Sequence, residues 1–338
     1  MAKRELWELQ CMQGSPLSVK VRMTESRIRE WVQEYGEDGV YVSFSGGKDS
    51  TVLLHIVRNL YPNIPAVYVD TGLEYPEVKE FVKTFDNVEI VRPKLTFRQV
   101  IEQKGYPFIS KPVSNVVRLA RENIENGKEN TNRVKQIRGE FKNDDGGKSQ
   151  FNYEKYQFLL DAPFKISEKC CDVMKKSPAK EYEKKTGRHP FIGQLTQESI
   201  KRRNAWLKTG CNGFELASPQ SNPMAFWLDQ DILAYIKINN LPIASVYGDV
   251  VYVDEDGMEY MEPTFSESMK LKTTGCTRTG CMFCGFGCHL NQDTRFTDMK
   301  ETHPKIYEWI MKPTEEGGLN YKAVIDWINE HGHLKIKY

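Results

Sequence analysis

The sequence predicts an α/β fold, a parallel sheet flanked by helices, with a helical insertion and a C-terminal cysteine-cluster region. Short apolar, β-branched runs alternate with amphipathic stretches through the first third of the chain, the pattern of successive strand and helix units. A glycine-rich turn ends the first of these runs and opens a helix. Four cysteines then crowd into one glycine-rich stretch between residues 276 and 288.

Each element follows from its local pattern. Residues 19–37 (VKVRMTESRIREWVQEYGE) repeat apolar positions at helical spacing, with Thr24 or Ser26 near the helix start. Residues 40–44 (VYVSF) read as a strand ending at Ser45-Gly46-Gly47, and DSTVLLHIVRNL as the helix after it. A second strand is expected at 66–70 (AVYVD), with Thr71-Gly72 as its turn and a helix at 75–85. A third unit pairs a strand at 88–91 with a helix at 96–104. Such alternation calls for right-handed crossovers between parallel strands, and ligands then lie beyond the strands' carboxyl ends. Residues 111–156 turn polar and are expected to form a helical or partly disordered insertion. The core resumes at 164–182, followed by a strand at 190–193, a basic helix near 199–208, an amphipathic helix at 226–239 and a loop at 241–247. The expected organisation is an N-terminal helical segment at 1–37, an α/β domain at 38–260, and the cysteine-cluster region with a helical tail at 261–338.

Composition narrows the function classes. The 338 residues carry 47 Lys and Arg against 46 Asp and Glu, a net charge of +1, so no global field draws the chain to nucleic acid or anionic membrane. Mean hydropathy is -0.57, and 39% of residues are hydrophobic, enough for a soluble globular core. Residues 1–10 are charged and lack a secretory signal, and no run approaches the ~18 apolar residues of a membrane span. A cytoplasmic location without a membrane partner is expected. Eight cysteines in a reducing compartment then point to metal or redox chemistry rather than disulfides.

A glycine turn at a strand's end lets backbone N–H groups converge on an anion, because no Cβ blocks the approach and the next helix N-terminus favours negative charge. Ser45, Gly46, Gly47, Lys48, Asp49 and Ser50 stand at that place. Ser45 and Ser50 offer hydroxyls, Lys48 a charge, and Asp49 a carboxylate for Mg2+ held with phosphate. The spacing departs from the Walker loop G-x-x-x-x-G-K-S/T. SFSGGKDS resembles instead the SGGxDS loop of the ATP pyrophosphatase superfamily, whose members cleave between the α and β phosphates and adenylate a substrate, or bind related sulfonucleotides. Residues 69–76 (VDTGLEYP) are similar to the second-strand motif of the phosphoadenosine phosphosulfate reductase family. That likeness brings Asp70, Thr71 and Gly72 to the nucleotide edge. Ile192-Gly193 with Glu198, Ser199 and Arg202 looks like the family's G-x-R-x-x-E-S-x-x-R segment, and residues 227–232 (WLDQDI) like its W-T-x-x-D-V helix. The resemblance covers about residues 40–284. It implies an adenine nucleotide alpha-hydrolase-like fold that binds ATP or phosphoadenylyl sulfate with Mg2+, Gly193 and Arg202 joining the loop. Leu195 departs from it by standing where the family has arginine, which removes one phosphate or sulfate contact. Arg202 and Arg203 are the nearby cations in sequence.

Cys276, Cys281, Cys284 and Cys288 follow C-x4-C-x2-C-x3-C, with glycines that let the backbone wrap an inorganic core. Thiolates so arranged suit an iron-sulfur cluster or tetrahedral zinc, and spacing alone does not choose. Cys170-Cys171 resemble the paired cysteines that, with a later C-x2-C, hold a 4Fe-4S cluster in assimilatory adenylyl-sulfate reductases. The resemblance implies such a cluster on Cys281 and Cys284, with partners drawn from Cys170, Cys171, Cys276 and Cys288; Zn2+ is the alternative. A cysteine left over, Cys171 or Cys288, is then available as sulfur carrier or nucleophile, activated by Lys175 and Lys176. Cys11 and Cys211 are incidental, and His289 is a neighbour of the cluster.

The preferred function is ATP-dependent sulfur transfer. Lys48 and Asp49 would serve adenylation of an acceptor with release of pyrophosphate, and a cluster or cysteine would pass on sulfur from a donor such as a cysteine desulfurase. The alternative is reduction of phosphoadenylyl or adenylyl sulfate to sulfite with a thiol reductant. Family members do this with a cysteine in a mobile tail, and here none follows Cys288. A third reading is a non-catalytic nucleotide-binding module. Arg118, Arg121, Arg133, Lys135 and Arg138 in the insertion make nucleic acid a further candidate partner.

Overall fold

The alternation of strand and helix is realised in the computed structural model, which describes residues 4–263, 269–290 and 292–338. Residues 1–3 of the expected N-terminal segment, and 264–268 and 291 of the expected cysteine-cluster region, lie outside the described residues. The chain forms two units. One comprises Met1–Asp70, Glu74–Arg92 and Pro178–Thr279; the other comprises Thr71–Leu73, Pro93–Ser177 and Gly280–Tyr338.

The first unit is built on a sheet whose strands lie in the order Val88–Val91, Ala66–Val69, Val40–Ser43, His189–Ile192, Gln220–Ser221 and Asn212–Gly213. All neighbours are parallel except the last pair. From the central Val40–Ser43 strand the chain first moves outward on one side and later returns on the other. Ser43 therefore lies between Val67 and Ile192 in register, where the crossovers diverge and a crevice opens at the carboxyl ends. The helix Leu17–Tyr35 buries Ile28, Trp31 and Val32, the i, i+3, i+4 stripe that its periodicity predicts. Helix Lys48–Leu60 buries Val52, Leu53, Leu54, Ile56 and Val57. Trp31 and Trp227 are wholly enclosed in this core, where each large apolar side chain contributes about 2–3 kcal/mol.

Several short strands escape the sequence reading, among them a whole sheet. Lys270–Thr273, Val250–Val253 and Glu259–Tyr260 form a three-stranded antiparallel sheet. Its strands span two to four residues and are only partly buried, too short for an apolar alternation to mark them.

In the second unit the polar insertion is helical over Lys111–Glu125 and Asn132–Arg138, with turns between and after them. Ser110 caps helix Lys111–Glu125 by accepting from the Val113 N–H, and a proline sits in its first turn. Val113, Val116, Val117 and Ala120 form the buried stripe. Thr131 caps Asn132–Arg138 in the same way. Cys170-Cys171 lead into a π-helical turn, Asp172–Lys176, a distortion common at functional sites. Gly285–Phe286 pairs in parallel with Phe108–Ile109, and helices Arg295–Thr302, Pro304–Met311 and Tyr321–Gly332 complete the unit.

Candidate functional site

The phosphate loop is shaped before any ligand arrives. Gly46 has φ +72, and a Cβ there would stand 2.7 Å from Val78 Cγ1 and 2.8 Å from Val82 Cγ2. Only glycine combines that left-handed backbone with so close an approach. Ser50 Oγ receives the Ser45 N–H at 3.2 Å, lies 3.0 Å from Ser45 Oγ and donates to Gly47 O at 2.9 Å. Thr51 Oγ1 also donates to Gly47 O at 3.0 Å. These bonds fold the loop over the start of helix Lys48–Leu60, whose positive end favours an anion. Gly193 stands at the end of the next strand, where a Cβ would lie 3.2 Å from the Asp49 backbone; its absence lets that strand end close on the loop.

Lys48 and Asp49 are partly buried beside each other, and the charges around them are paired. Burial lowers the Lys48 pKa, against the opposing pull of Asp49 and Asp229. Burial likewise raises the Asp49 pKa, with Lys48, Arg278 and Arg202 acting the other way. Lys48 Nζ lies 5.3 Å over the Tyr247 ring, and the Tyr247 hydroxyl accepts from the Lys48 N–H at 3.3 Å while sharing a 2.6 Å hydrogen bond with Thr279. Arg202 pairs with Glu198, and Arg278 reaches Glu198 at 3.7 Å and Asp229 at 3.5 Å. Leu195 is 0% exposed in the core, so the side chain at the family's arginine position meets no anion. Asp70 is 6% exposed and bonds Lys79 at 3.0 Å and Arg92 at 3.1 Å. Burial raises its pKa, but those two cations outweigh it and hold it low. Thr71 and Gly72 belong to the second unit, where Thr71 Oγ1 accepts from the Leu73 N–H at 3.1 Å.

The second unit gathers four of the six candidate thiols. Cys170, Cys171, Cys281 and Cys284 line one pocket of about 20 Å³ with apolar walls that include Leu73, Phe97, Met174 and Phe283. Cys170 Sγ points its proton at Cys171 Sγ, 4.0 Å away. That hydrogen bond raises the Cys170 thiol pKa, as does burial, and draws Cys171 toward the thiolate, with Lys111 adding to the effect. The Met282 N–H bonds Leu73 O at 2.8 Å, and Arg295 donates to Cys284 O while gripping Asp293. Cys288 faces elsewhere. Its buried thiol donates to Gly285 O at 2.9 Å and is pushed up to about 12, chiefly by burial. Cys276 belongs to the first unit and packs against its core. His289 Nε2 meets the Tyr156 hydroxyl at 3.3 Å.

Among the described residues no group of three or more His, Cys, Asp or Glu stands close enough to hold a single metal ion. The pocket offers four thiols without histidine or carboxylate, a soft donor set common to zinc and iron-sulfur sites.

Several participants were not singled out from sequence. Tyr247 reads as part of a loop, and Arg278 and Thr279 read as spacer between Cys276 and Cys281. A charged residue flanked by two threonines inside a metal-like spacing was the available signal. Lys111 and Arg295 carried none, since only folding brings them to the thiols.

The sequence model of the phosphoadenosine phosphosulfate reductase domain matches residues 39–109 and 115–285. An uncharacterized protein of Methanocaldococcus jannaschii is 33% identical over 72 residues, 20% of this chain and 18% of that protein. Phosphoadenosine 5'-phosphosulfate reductases of Xylella fastidiosa and Thiocapsa roseopersicina are each 35% identical, over 68 and 77 residues, which are 19% and 21% of this chain and 29% and 32% of theirs. The chain thus matches less than a third of the length of these relatives. The crystal structure of phosphoadenylyl-sulfate reductase from Candida auris, a phosphate complex, aligns with a TM-score of 0.37 at 14% identity, covering 71% of this chain and 90% of that one. With the family's sequence model spanning most of its length, the chain belongs to the phosphoadenosine phosphosulfate reductase domain family.

Proposed function

We propose that the protein is an ATP-dependent sulfurtransferase that activates an acceptor by adenylation. The observation that carries this reading is a four-thiol pocket in a chain whose other unit holds a pre-folded phosphate loop. Lys48, the loop N–H groups and the helix terminus bind the ATP phosphates, Asp49 holds Mg2+, and Arg202 and Arg278 supply the cationic charge that Leu195 does not. Ser45, Gly46, Gly47, Ser50 and Gly193 shape the loop, while Asp70 braces the adjacent strand end. An acceptor oxygen attacks the α-phosphorus, the bond to the β-phosphate oxygen breaks and pyrophosphate leaves. A cysteine desulfurase supplies persulfide sulfur, which a thiol reductant releases as sulfide while becoming a disulfide; the sulfide then attacks the activated carbon, and AMP departs with the C–O electron pair.

Cys170, Cys171, Cys281 and Cys284 would hold a 4Fe-4S cluster, one thiolate to each iron, which when bound would supply redox-capable charge in the pocket. The thiol pair, with Lys111 beside it, keeps negative charge on Cys171. Reduction of a sulfonucleotide to sulfite is the second reading, favoured by the family and by the named reductases among its relatives.

Anaerobically purified protein, analysed for iron, sulfide and zinc, is to be incubated with ATP or with phosphoadenylyl sulfate. Pyrophosphate and AMP from ATP support adenylation. Sulfite and adenosine bisphosphate from phosphoadenylyl sulfate, with ATP left intact, would replace it with reduction. One zinc per chain without iron would remove the cluster.

A further inference from the structure

A groove of about 640 Å³ in the second unit is bounded by helices Phe97–Lys104 and Lys111–Glu125 and by residues 162–173. Lys104, Arg118, Arg121, Lys165 and Lys169 line it, against Glu122 and Glu125. In a chain of net charge +1 this is a local cationic excess. The cations differ in kind. Arg118 is ion-paired with Glu168 and Glu122. Arg121 instead donates to the carbonyls of Phe164 and Ala162, at 2.8 and 2.7 Å, so it is held rigidly while those neutral partners leave its charge uncompensated. Lys104 and Lys165 are exposed on their stems. Phe164 adds an aromatic ring to the wall, fixed edge-on against Trp327 and Tyr106.

A fixed guanidinium, extended lysines and an anchored ring make the surface that tracks a phosphodiester backbone and packs a base. The volume lies in the range of small-ligand pockets, about 300–1,000 Å³, and suits an unpaired strand rather than a duplex. We propose that this groove binds single-stranded nucleic acid. Lys169 and Val173, joined by a 3.1 Å backbone hydrogen bond, line the groove, and Cys170, Cys171 and Met174 of the same turn line the thiol pocket. A bound strand therefore lies along the element that carries the thiol pair. That the strand is also the sulfur acceptor rests on the sulfurtransferase reading; its binding does not.

The test is fluorescence anisotropy of a labelled oligodeoxythymidylate with the full chain at low salt and without ATP. The double variant K104E/K165E is expected to weaken binding at least about tenfold and to lower the salt slope by about two. Lys142→Glu, exposed and outside the groove, should stay within about twofold of the parent. Thermal melts of both variants confirm that they fold. The proposal fails if the parent binds no oligonucleotide, if both variants lose affinity alike, or if AMP competes as well as the strand does, which would make the groove a mononucleotide pocket. Pyrophosphate release from ATP, scored on the same preparations, separates the two ideas. Turnover without strand binding overturns the groove alone, and strand binding without turnover overturns the reaction alone.

Discussion

At Asp49, burial and function pull in opposite directions. Burial raises its carboxyl pKa in the folded chain above the ordinary 3.8, so the protonated form is the one folding favours. The stability it contributes is fully present below pH 3.8 and is lost as pH rises through the raised value. Asp49→Asn is therefore expected to melt above the parent at neutral pH, with the gap closing on acidification, in melts recorded across pH. If the proposed adenylation holds, the same variant should lose at least about a hundredfold in ATP turnover, because the carboxylate proposed to hold Mg2+ is gone. Leu195 yields the opposite trade. Its side chain is fully enclosed, so Leu195→Arg would bury a charge without a partner. A loss of about 3–5 kcal/mol in urea unfolding is the expected cost, and a wild-type midpoint would contradict this packing. The departure from the family pattern was readable in the sequence, whereas the burial behind it was not, since a leucine next to a strand fits core and surface alike.

The loop between strand and helix is an element whose shape depends on two valines from another helix. Val78 and Val82, on helix Pro76–Val82, leave no room for a Cβ at Gly46. Gly46→Ala should lose about 2–3 kcal/mol of stability, from the left-handed backbone and the clash together, along with nucleotide binding measured by calorimetry. Elements of this kind were the most legible in advance. Val88–Val91 lies where its pattern put it, Thr96, the first residue of the helix expected at 96–104, caps Phe97–Lys104, and Ser199 caps Ile200–Thr209. The polar stretch at 111–156 was less clear, because its buried stripe is short and its charges dominate the composition. The strands from Val250 on were missed because they are too short for alternation to show, and Lys270 and Lys272 interrupt the last of them.

Across the whole molecule, the thiol pocket depends on segments separated by more than a hundred residues, and sequence spacing alone left six cysteines competing for it. The fold separates them, because Cys288 bonds a local carbonyl and Cys276 packs in the other unit. Serine at Cys170, Cys171, Cys281 or Cys284 should each lower bound iron to less than about half of the parent, while serine at Cys276 or Cys288 should leave it unchanged. Iron and sulfide analysis of the six variants decides this. Loading the parent should also raise its melting temperature, since a ligand held only by the folded chain stabilises it.

The discontinuity of the two units also orders events during synthesis. Cys170 and Cys171 leave the ribosome long before Cys281 and Cys284, with most of the residues that finish the first unit emerging in between. Throughout that interval the nascent chain exposes a vicinal dithiol without its partners. Any cofactor insertion must then wait until Cys284 has emerged, and oxidation of the early pair to a disulfide becomes the hazard against which the cell's reductants must guard it.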